Sequence, residues 1–321
     1  MLLSQAIYGF TIAKTAEGYS SNTIAMYQWA LTLLGNYLHD PDPTDIKYND
    51  LQSFFAYLAT DYIPSRMNGD TSPLSRRSVE NIWTAIRSFY NWAEAELSIP
   101  RDARPDIGLK RPRYAPSEID PYTEDELKAL LKACEYTTAA ATEKRRSFAM
   151  KRPTADRDVA LLLVLLDTGI RSSECARLQI DNVVLDTGEV RVKSYGSGQK
   201  THSRSVYLGK SARHALWKYL SKRSDTETNL FITEQSRPMN RSSIRHMISR
   251  AGKRANVISA TTHRFRHTFA VQYLRNGGDV FTLQRLLGHS TLDMVRRYVA
   301  LASTDDATVH RRASPVDNWR L

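Results

Sequence analysis

The sequence predicts a two-domain, mainly α protein with a small antiparallel β-sheet in its second half. Three observations carry this. Apolar residues recur every three or four positions through most of the chain, the spacing of one helix face. Between about residues 183 and 208 that period switches to two, the spacing of a half-buried strand. Residues 98–121 then hold Pro100, Pro105, Pro112, Pro116 and Pro121 in an apolar-poor stretch, which opposes helix and separates the two halves. A length of 321 residues suits about two domains and is ample for a core without staples.

The first domain spans residues 1–99. Ser21 and Asn22 are N-cap candidates ahead of a long helix with Ile24, Tyr27, Leu31, Leu34 and Leu38 on one face. The run Asp40-Pro-Asp-Pro-Thr-Asp45 stops it. A shorter helix carries Leu51, Phe54, Phe55 and Leu58, and a Gly/Ser/Pro loop from Pro64 to Pro73 follows. A further helix repeats Val79, Ile82, Ile86, Phe89 and Ala93. Three or four such helices suffice for a small bundle. Residues 100–121 read as an extended linker with a basic patch, Lys110, Arg111 and Arg113, beside Tyr114. Two readings stand for it: a strap along a phosphate backbone, or a linker kept soluble by charge.

The second domain spans residues 122–321. Thr123-Glu-Asp-Glu126 is a capping box for a helix to about Cys134. A basic segment follows, with Lys144, Arg145, Arg146, Lys151 and Arg152. Asp156–Leu166 is apolar nearly all round and reads as a buried helix. Asp186-Thr-Gly188 turns into a strand in which Val190 and Val192 alternate with Arg191 and Lys193. Gly196-Ser-Gly198 is the next turn, and Arg204–Leu208 the next strand. Helices dominate beyond, one with the face Ile244, Met247, Ile248 and Ala251. Gly277-Gly278 stops a helix and Asp279 caps another. The tail carries Val299, Leu301, Val309, Val316, Trp319 and Leu321, apolar enough to dock on its own domain or on a neighbour.

Composition narrows the function. Lys and Arg total 45 against 34 Asp and Glu, a net charge of +11. That surplus favours a polyanionic partner such as nucleic acid, or an anionic membrane face. The longest apolar run, Val159–Leu166, is far short of the ~20 residues of a membrane span. The first residues lack the basic region and long apolar core of a signal peptide. Cys134 and Cys175 have no metal-ligand spacing, so neither a disulfide framework nor a zinc finger is expected. A reducing, intracellular setting fits, and no internal repeat is visible.

Four patterns in the second domain could carry chemistry. The first is Asp167-Thr-Gly-Ile-Arg171-Ser-Ser-Glu174, where glycine permits a sharp turn and aims Arg171 into a cleft. The second is Gly196-Ser-Gly-Gln-Lys200, a hairpin tip ending in a lysine. The third is His263-Arg-Phe-Arg266-His267, whose His263 and Arg266 share a helix face. The fourth is Gly288-His289-Ser290 with Tyr298 on the following helix. Singly, each has a plain reading: a surface ion pair, a solvated hairpin, a core aromatic. A zinc reading of His263 and His267 fails because Arg264 stands where the zincin helix needs a glutamate.

Together the four resemble the active-site pattern of the tyrosine recombinases, the phage-integrase family. Thr168-Gly-Ile-Arg171, Lys200, His263-x-x-Arg266, Leu287-Gly-His289-Ser290 and Tyr298 follow its order and spacing, and the N-terminal helices look like its core-binding domain. The resemblance covers about residues 5–302 and extends to the simple two-domain Xer-type enzymes and the integrases of transposons, integrons and plasmids. It implies an N-terminal SAM-like helical bundle that binds core DNA and a C-terminal catalytic domain. It also implies a reaction. Tyr298 attacks a DNA phosphodiester, and a 3′-phosphotyrosyl link and a free 5′-hydroxyl result. Arg171, Arg266 and His289 serve the phosphate, His263 bonds a phosphate oxygen or takes the tyrosine proton, and Glu174 orients the Arg or His side chains. No cofactor or metal is needed, because the covalent link stores the bond. The partner implied is a double-stranded recombination site, bound by a homo-tetramer in the synaptic complex and a monomer when free. A cytoplasmic, nucleoid-associated protein of a mobile element is expected. Xer-like dimer resolution, a type IB-like topoisomerase and an inactive DNA-binding regulator are the alternatives.

One departure concerns the lysine. The family's hairpin usually reads Gly-Lys-Gly, and Ser197 stands in the middle here. Lys200 is the choice for the general acid, with Lys193 as the alternative. His267, next to Arg266, is read as structural. For DNA contact outside the centre the candidates are Lys110, Arg111 and Arg113, then Arg76, Arg77 and Arg87, then Arg241 and Arg245 on the Arg241–Arg254 helix. Most of these cations should meet phosphates and carry no sequence information.

Overall fold

A computed structural model describes residues 1–66, 69–113, 118–138, 140–142, 145–194 and 203–302, with isolated tail positions 310, 314, 316 and 319. The side chains of residues 140–142 and 145–147 are outside the description. The chain divides into two compact units, one built on Met1–Ser117, the other on Glu118–Ser194 and Gln199–Leu321.

Among the described residues four α-helices build the first unit: α1 (Leu3–Ala16), α2 (Ser21–Leu38), α3 (Tyr48–Thr60) and α4 (Arg76–Glu96). α1 buries Leu3, Ala6, Ile7 and Phe10, one stripe at helical spacing. The cap of α2 is Ser20, one residue before the expected pair, and its hydroxyl accepts from the Thr23 amide. Phe10 meets Phe89 edge to face at 5.7 Å, and Leu31, Leu34, Phe54, Ile82 and Ile86 fill the space around them.

The proline-rich segment is built into this unit up to about Arg111 rather than running free as an extended strap. Ile99 and Leu109 join the core, and Arg101–Ala103 forms a short 3₁₀ turn. Arg104 is buried and donates to both oxygens of buried Asp106, at 3.0 and 2.7 Å, and to Asn91 and Glu94 of α4. The Trp83 indole donates to the Leu109 carbonyl at 3.3 Å. Prolines deny this segment a helix, and a buried, fully bonded ion pair pins it instead.

The second unit opens with α5 (Glu124–Glu135), capped by the expected Thr123–Glu126 box. A hairpin follows in the basic segment, β1 (Ala140–Thr142) and β2 (Arg145–Phe148). Next come α6 (Ala155–Thr168) and the single turn α7 (Ser172–Cys175). The small sheet has the order β3 (Val183–Val184), β4 (Glu189–Val192) and β5 (Arg204–Tyr207), all antiparallel, with Val190 opposite Val206. Among the described residues five longer helices follow: α8 (Lys210–Leu220), α9 (Arg241–Ala255), α10 (Thr262–Arg275), α11 (Val280–Leu287) and α12 (Asp293–Ala302). The protein is thus mainly helical with a small antiparallel sheet in its second half. α6 is central: it packs against α5, α8 and α10, and Leu161, Leu162, Val164 and Leu165 are buried along it. Ala270, Val271, Leu283, Leu287, Val295 and Tyr298 form a separate apolar cluster between α10, α11 and α12. In the tail, Val316 and Trp319 are exposed, whereas Val309 and Leu321 lie outside the described residues.

Candidate active site

The site begins where α6 ends. Gly169 takes the left-handed conformation, φ +60°, and a Cβ there would lie 2.4 Å from Phe269 Cδ1. Only glycine fits both demands. The turn sets Arg171 at the head of α7, its side chain 28% exposed. Its amide donates to Glu174 Oε2 at 2.8 Å and its guanidinium to Oε1 at 3.2 Å, so one face is held and the other is open.

Glu174 is buried between two arginines. Arg204 of β5 donates to Oε1 at 3.0 Å and to Oε2 at 2.9 Å. Burial alone would raise the carboxyl pKa; hydrogen bonds and charge from Arg204, then the amide and charge of Arg171, bring it below the ordinary value. Arg204 also donates to the Leu286 carbonyl at 2.6 Å, tying β5 to the end of α11. The sequence reading missed Arg204. Its signal was there: on a strand it shares a face with buried Val206 and Leu208, and a charge on that face needs a partner.

Arg266 of α10 is buried and fastens two distant stretches through three bonds. It donates to the Gly169 carbonyl at 2.8 Å, to the Leu287 carbonyl at 2.7 Å and to His289 Nε2 at 2.7 Å. Burial draws its pKa down, with Arg171 adding to the effect. A guanidinium shifted from above 12 still stays charged at neutral pH. A guanidinium only donates, so His289 accepts through Nε2 and carries its proton on Nδ1. That Nδ1 is buried and has no partner among the described residues. Burial, then Arg266 and Arg171, push His289 down to about 3, so the ring is neutral.

His263, on the first turn of α10, is exposed, and desolvation of its ring together with Arg266, Arg171 and Arg241 lowers its pKa. Tyr298 of α12 is nearly buried, with its ring 6.4 Å from and almost parallel to that of His289. Burial raises its phenol pKa while Arg266, Arg297 and Arg171 oppose the rise. Its hydroxyl lies 2.9 Å from His267 Nδ1. His267 therefore points toward Tyr298, which corrects the expectation that it points elsewhere. Counting one residue from Arg266 turned it away; counting four from His263 puts both imidazoles on one face, with ring centroids 5.2 Å apart.

Arg171, Arg266, His263, His289 and Tyr298 thus converge, with Glu174 beneath them. Lys200 and Ser197 lie outside the described residues, and Lys193 stands exposed just past β4. Residues 122–304, more than half of the chain, match the model of the phage integrase family. The chain belongs to the phage integrase family.

The family's N-terminal SAM-like domain matches residues 13–97. Among relatives, the integrase-family chain is 29% identical to tyrosine recombinase XerD of Staphylococcus aureus over 307 residues, 93% of this chain and 94% of that one. Its fold is similar to the Tn1549 transposon integrase in complex with transposon right end DNA, with TM-score 0.72 and 17% identity over 98% of this chain and 100% of that one. It is also similar to a lambda integrase tetramer bound to a Holliday junction, with TM-score 0.68 and 16% identity over 91% and 78% of the two chains.

Of the cations singled out away from the centre, Arg76, Arg77, Arg87, Lys110, Arg111, Arg113, Arg241 and Arg245 are all exposed. Three gather on one face of the first unit. Arg77 donates to buried Glu80 at 2.7 Å, and Arg111 reaches the same carboxylate at 2.7 Å. Arg87 and Arg111 lie 5.5 and 6.0 Å from the Trp83 ring centroid. Arg241 and Arg245 stand one turn apart on α9, within the integrase-family match.

Proposed function

We propose that this chain is a site-specific recombinase that cuts and rejoins duplex DNA through a 3′-phosphotyrosyl intermediate on Tyr298. One observation carries the reading: Arg266 bonds the Gly169 turn, the end of α11 and His289 at once, beside the buried ring of Tyr298. The attack of Tyr298 expels the 5′-hydroxyl of the next nucleotide, and a 5′-hydroxyl from another duplex reverses the step.

Each residue has a physical task. The phosphorane gains negative charge, and the open edge of Arg171 with the remaining donors of Arg266 grip its non-bridging oxygens. Loss of one such donor costs about 10²-fold or more in rate. The unpartnered Nδ1–H of His289 donates to a phosphate oxygen, and exposed His263 donates beside it. Glu174 fixes Arg171 and Arg204. Lys200 protonates the leaving 5′-oxygen, with Lys193 as the alternative.

Residues 1–99 form the core-DNA-binding domain, 100–121 the connection and 122–321 the catalytic domain. Arg76, Arg77, Arg87, Lys110, Arg111, Arg113, Arg241 and Arg245 contact phosphates. The working assembly is a homo-tetramer on two duplexes, supported by the lambda integrase tetramer bound to a Holliday junction. A mobile-element role and a cytoplasmic, nucleoid-associated location are part of the same proposal. Among the described residues no helix is long and apolar enough to cross a membrane.

The test is covalent capture. Wild-type protein is incubated with a library of nicked duplexes with random flanks, and adducts are recovered from denaturing gels. A covalent adduct that Tyr298→Phe abolishes, with binding intact, supports the reading. Absence of any adduct sinks it, and adducts with relaxation but no strand exchange point to a topoisomerase.

A further inference from the structure

The nucleophile's hydroxyl has a partner that the phosphate-gripping residues do not supply. Tyr298 is 4% exposed, and among the described residues its hydroxyl bonds to Nδ1 of His267 at 2.9 Å. A buried phenol needs an acceptor for its proton. The guanidinium groups nearby only donate, so Nδ1 accepts and the ring proton of His267 sits on Nε2. His263, the other imidazole on this helix face, is exposed, bears no hydrogen bond among the described residues, and stands near Arg171, Arg241 and Arg266. Of the two imidazoles, His267 is the one that meets the Tyr298 oxygen.

We propose that His267 accepts the phenol proton of Tyr298 as the nucleophile attacks and returns it when the strand is rejoined. The inference rests on the reading of Tyr298 as the nucleophile. In cleavage the Tyr298 oxygen–phosphorus bond forms and the bond from phosphorus to the 5′-oxygen breaks. The phenol proton moves to Nδ1 of His267, and the leaving oxygen takes a proton from the hairpin lysine. In rejoining both protons move back.

The surroundings keep the acceptor ready. His263 and Arg266 on α10 and Arg297 and Tyr298 on α12 face the ring. Burial, then the influence of His263, Arg266 and Arg297, hold His267 down to about 4, so its lone pair is free through neutral pH. A phosphodiester bound beside it adds negative charge and raises its basicity when it is needed.

The test uses the full chain and a nicked duplex captured by the wild-type protein, in single turnover, with DNA binding measured separately. His267→Ala should slow cleavage by about 10²- to 10³-fold with binding unchanged. His267→Asn, which leaves an amide oxygen near the place of Nδ1 but cannot take a proton, should be equally slow. A 5′-bridging phosphorothiolate relieves a defect in the leaving-group acid, so it should rescue Lys200→Ala and leave His267→Ala slow. The wild-type rate should fall on acidification with an imidazole titration that His267→Asn lacks. A wild-type rate in His267→Ala overturns the proposal, and a faster one makes the bond a resting latch. Full activity of His267→Asn reduces the residue to positioning and overturns the proton step, as does rescue of His267→Ala by sulfur. If wild-type protein captures no duplex at all, the recombinase reading fails first. The His267–Tyr298 bond is then read alone, from the ring ¹⁵N signals of His267, which should shift in Tyr298→Phe if Nδ1 accepts from the phenol and stay unmoved if it does not.

Discussion

Replacing Gly169 by alanine should damage stability and chemistry together. The residue sits at φ +60°, where a side chain costs about 1–2 kcal/mol. The new methyl would start 2.4 Å from Phe269 Cδ1 and 3.0 Å from Leu287 Cδ2. Both neighbours lie between packed helices, so relief requires rotamer or backbone shifts costing about 1–3 kcal/mol more. The sum is about 2–5 kcal/mol. For a unit of this size that lowers the melting temperature by about 4–20 °C. The Gly169 carbonyl also accepts from Arg266 at 2.8 Å, so the same shift displaces Arg266 and, in the proposed reaction, loosens its grip on the phosphate. Calorimetry of the full chain reads the first effect and single-turnover cleavage the second. Adding Phe269→Ala should restore the steric part and leave the backbone part. A Gly169→Ala protein that melts within 1 °C of wild type, or a pair of substitutions with no coupling, would refute the reasoning.

Other outcomes follow from the same geometry. Arg171→Ala should cut cleavage by about 10²-fold or more with a small change in melting, because the side chain is partly open to solvent. Arg204→Met should cost about 3–5 kcal/mol in denaturant titration, since it leaves Glu174 buried with one cation instead of two. That variant should also lose stability at a higher pH than wild type. Glu174 is depressed in the fold, so its contribution is full above the unfolded carboxylate pKa and fades as pH falls through the folded one. His267 and His289, held down to about 4 and about 3, act in the window above this. The unfolded chain takes up their protons first, near the ordinary value of 6.5, so stability should fall from about pH 6.5 toward 4. His289→Gln should flatten that acid limb in a pH series of melting curves, and an unchanged limb would assign it to other groups.

Much of the architecture was legible because it is periodic. The faces of α2, α3, α4 and α9 and the alternation in β4 follow directly from residue spacing. α1 was not singled out although Leu3, Ala6, Ile7 and Phe10 keep helical spacing, because Leu2 offers no side-chain cap to mark its start. The proline-rich segment misled for a different reason. Its order comes from Arg104 and Asp106, a contact that leaves no periodic trace. At the site, order and spacing named Arg171, Glu174, His263, Arg266, His289 and Tyr298. They did not name Arg204, whose partner is distant in sequence, or His267, whose direction depends on the helix to which it is referred.

The small cluster of Ala270, Val271, Leu283, Leu287, Val295 and Tyr298 gives Tyr298, the proposed nucleophile, a second job. Its ring is part of the fastening that holds α12 against α10. Exposing a buried aromatic ring costs about 1.5–3 kcal/mol, so a swung-out Tyr298 would be populated about one part in ten to one part in a hundred. In the proposed reaction the tool is therefore clamped in its holder, and the DNA strand must be delivered to it.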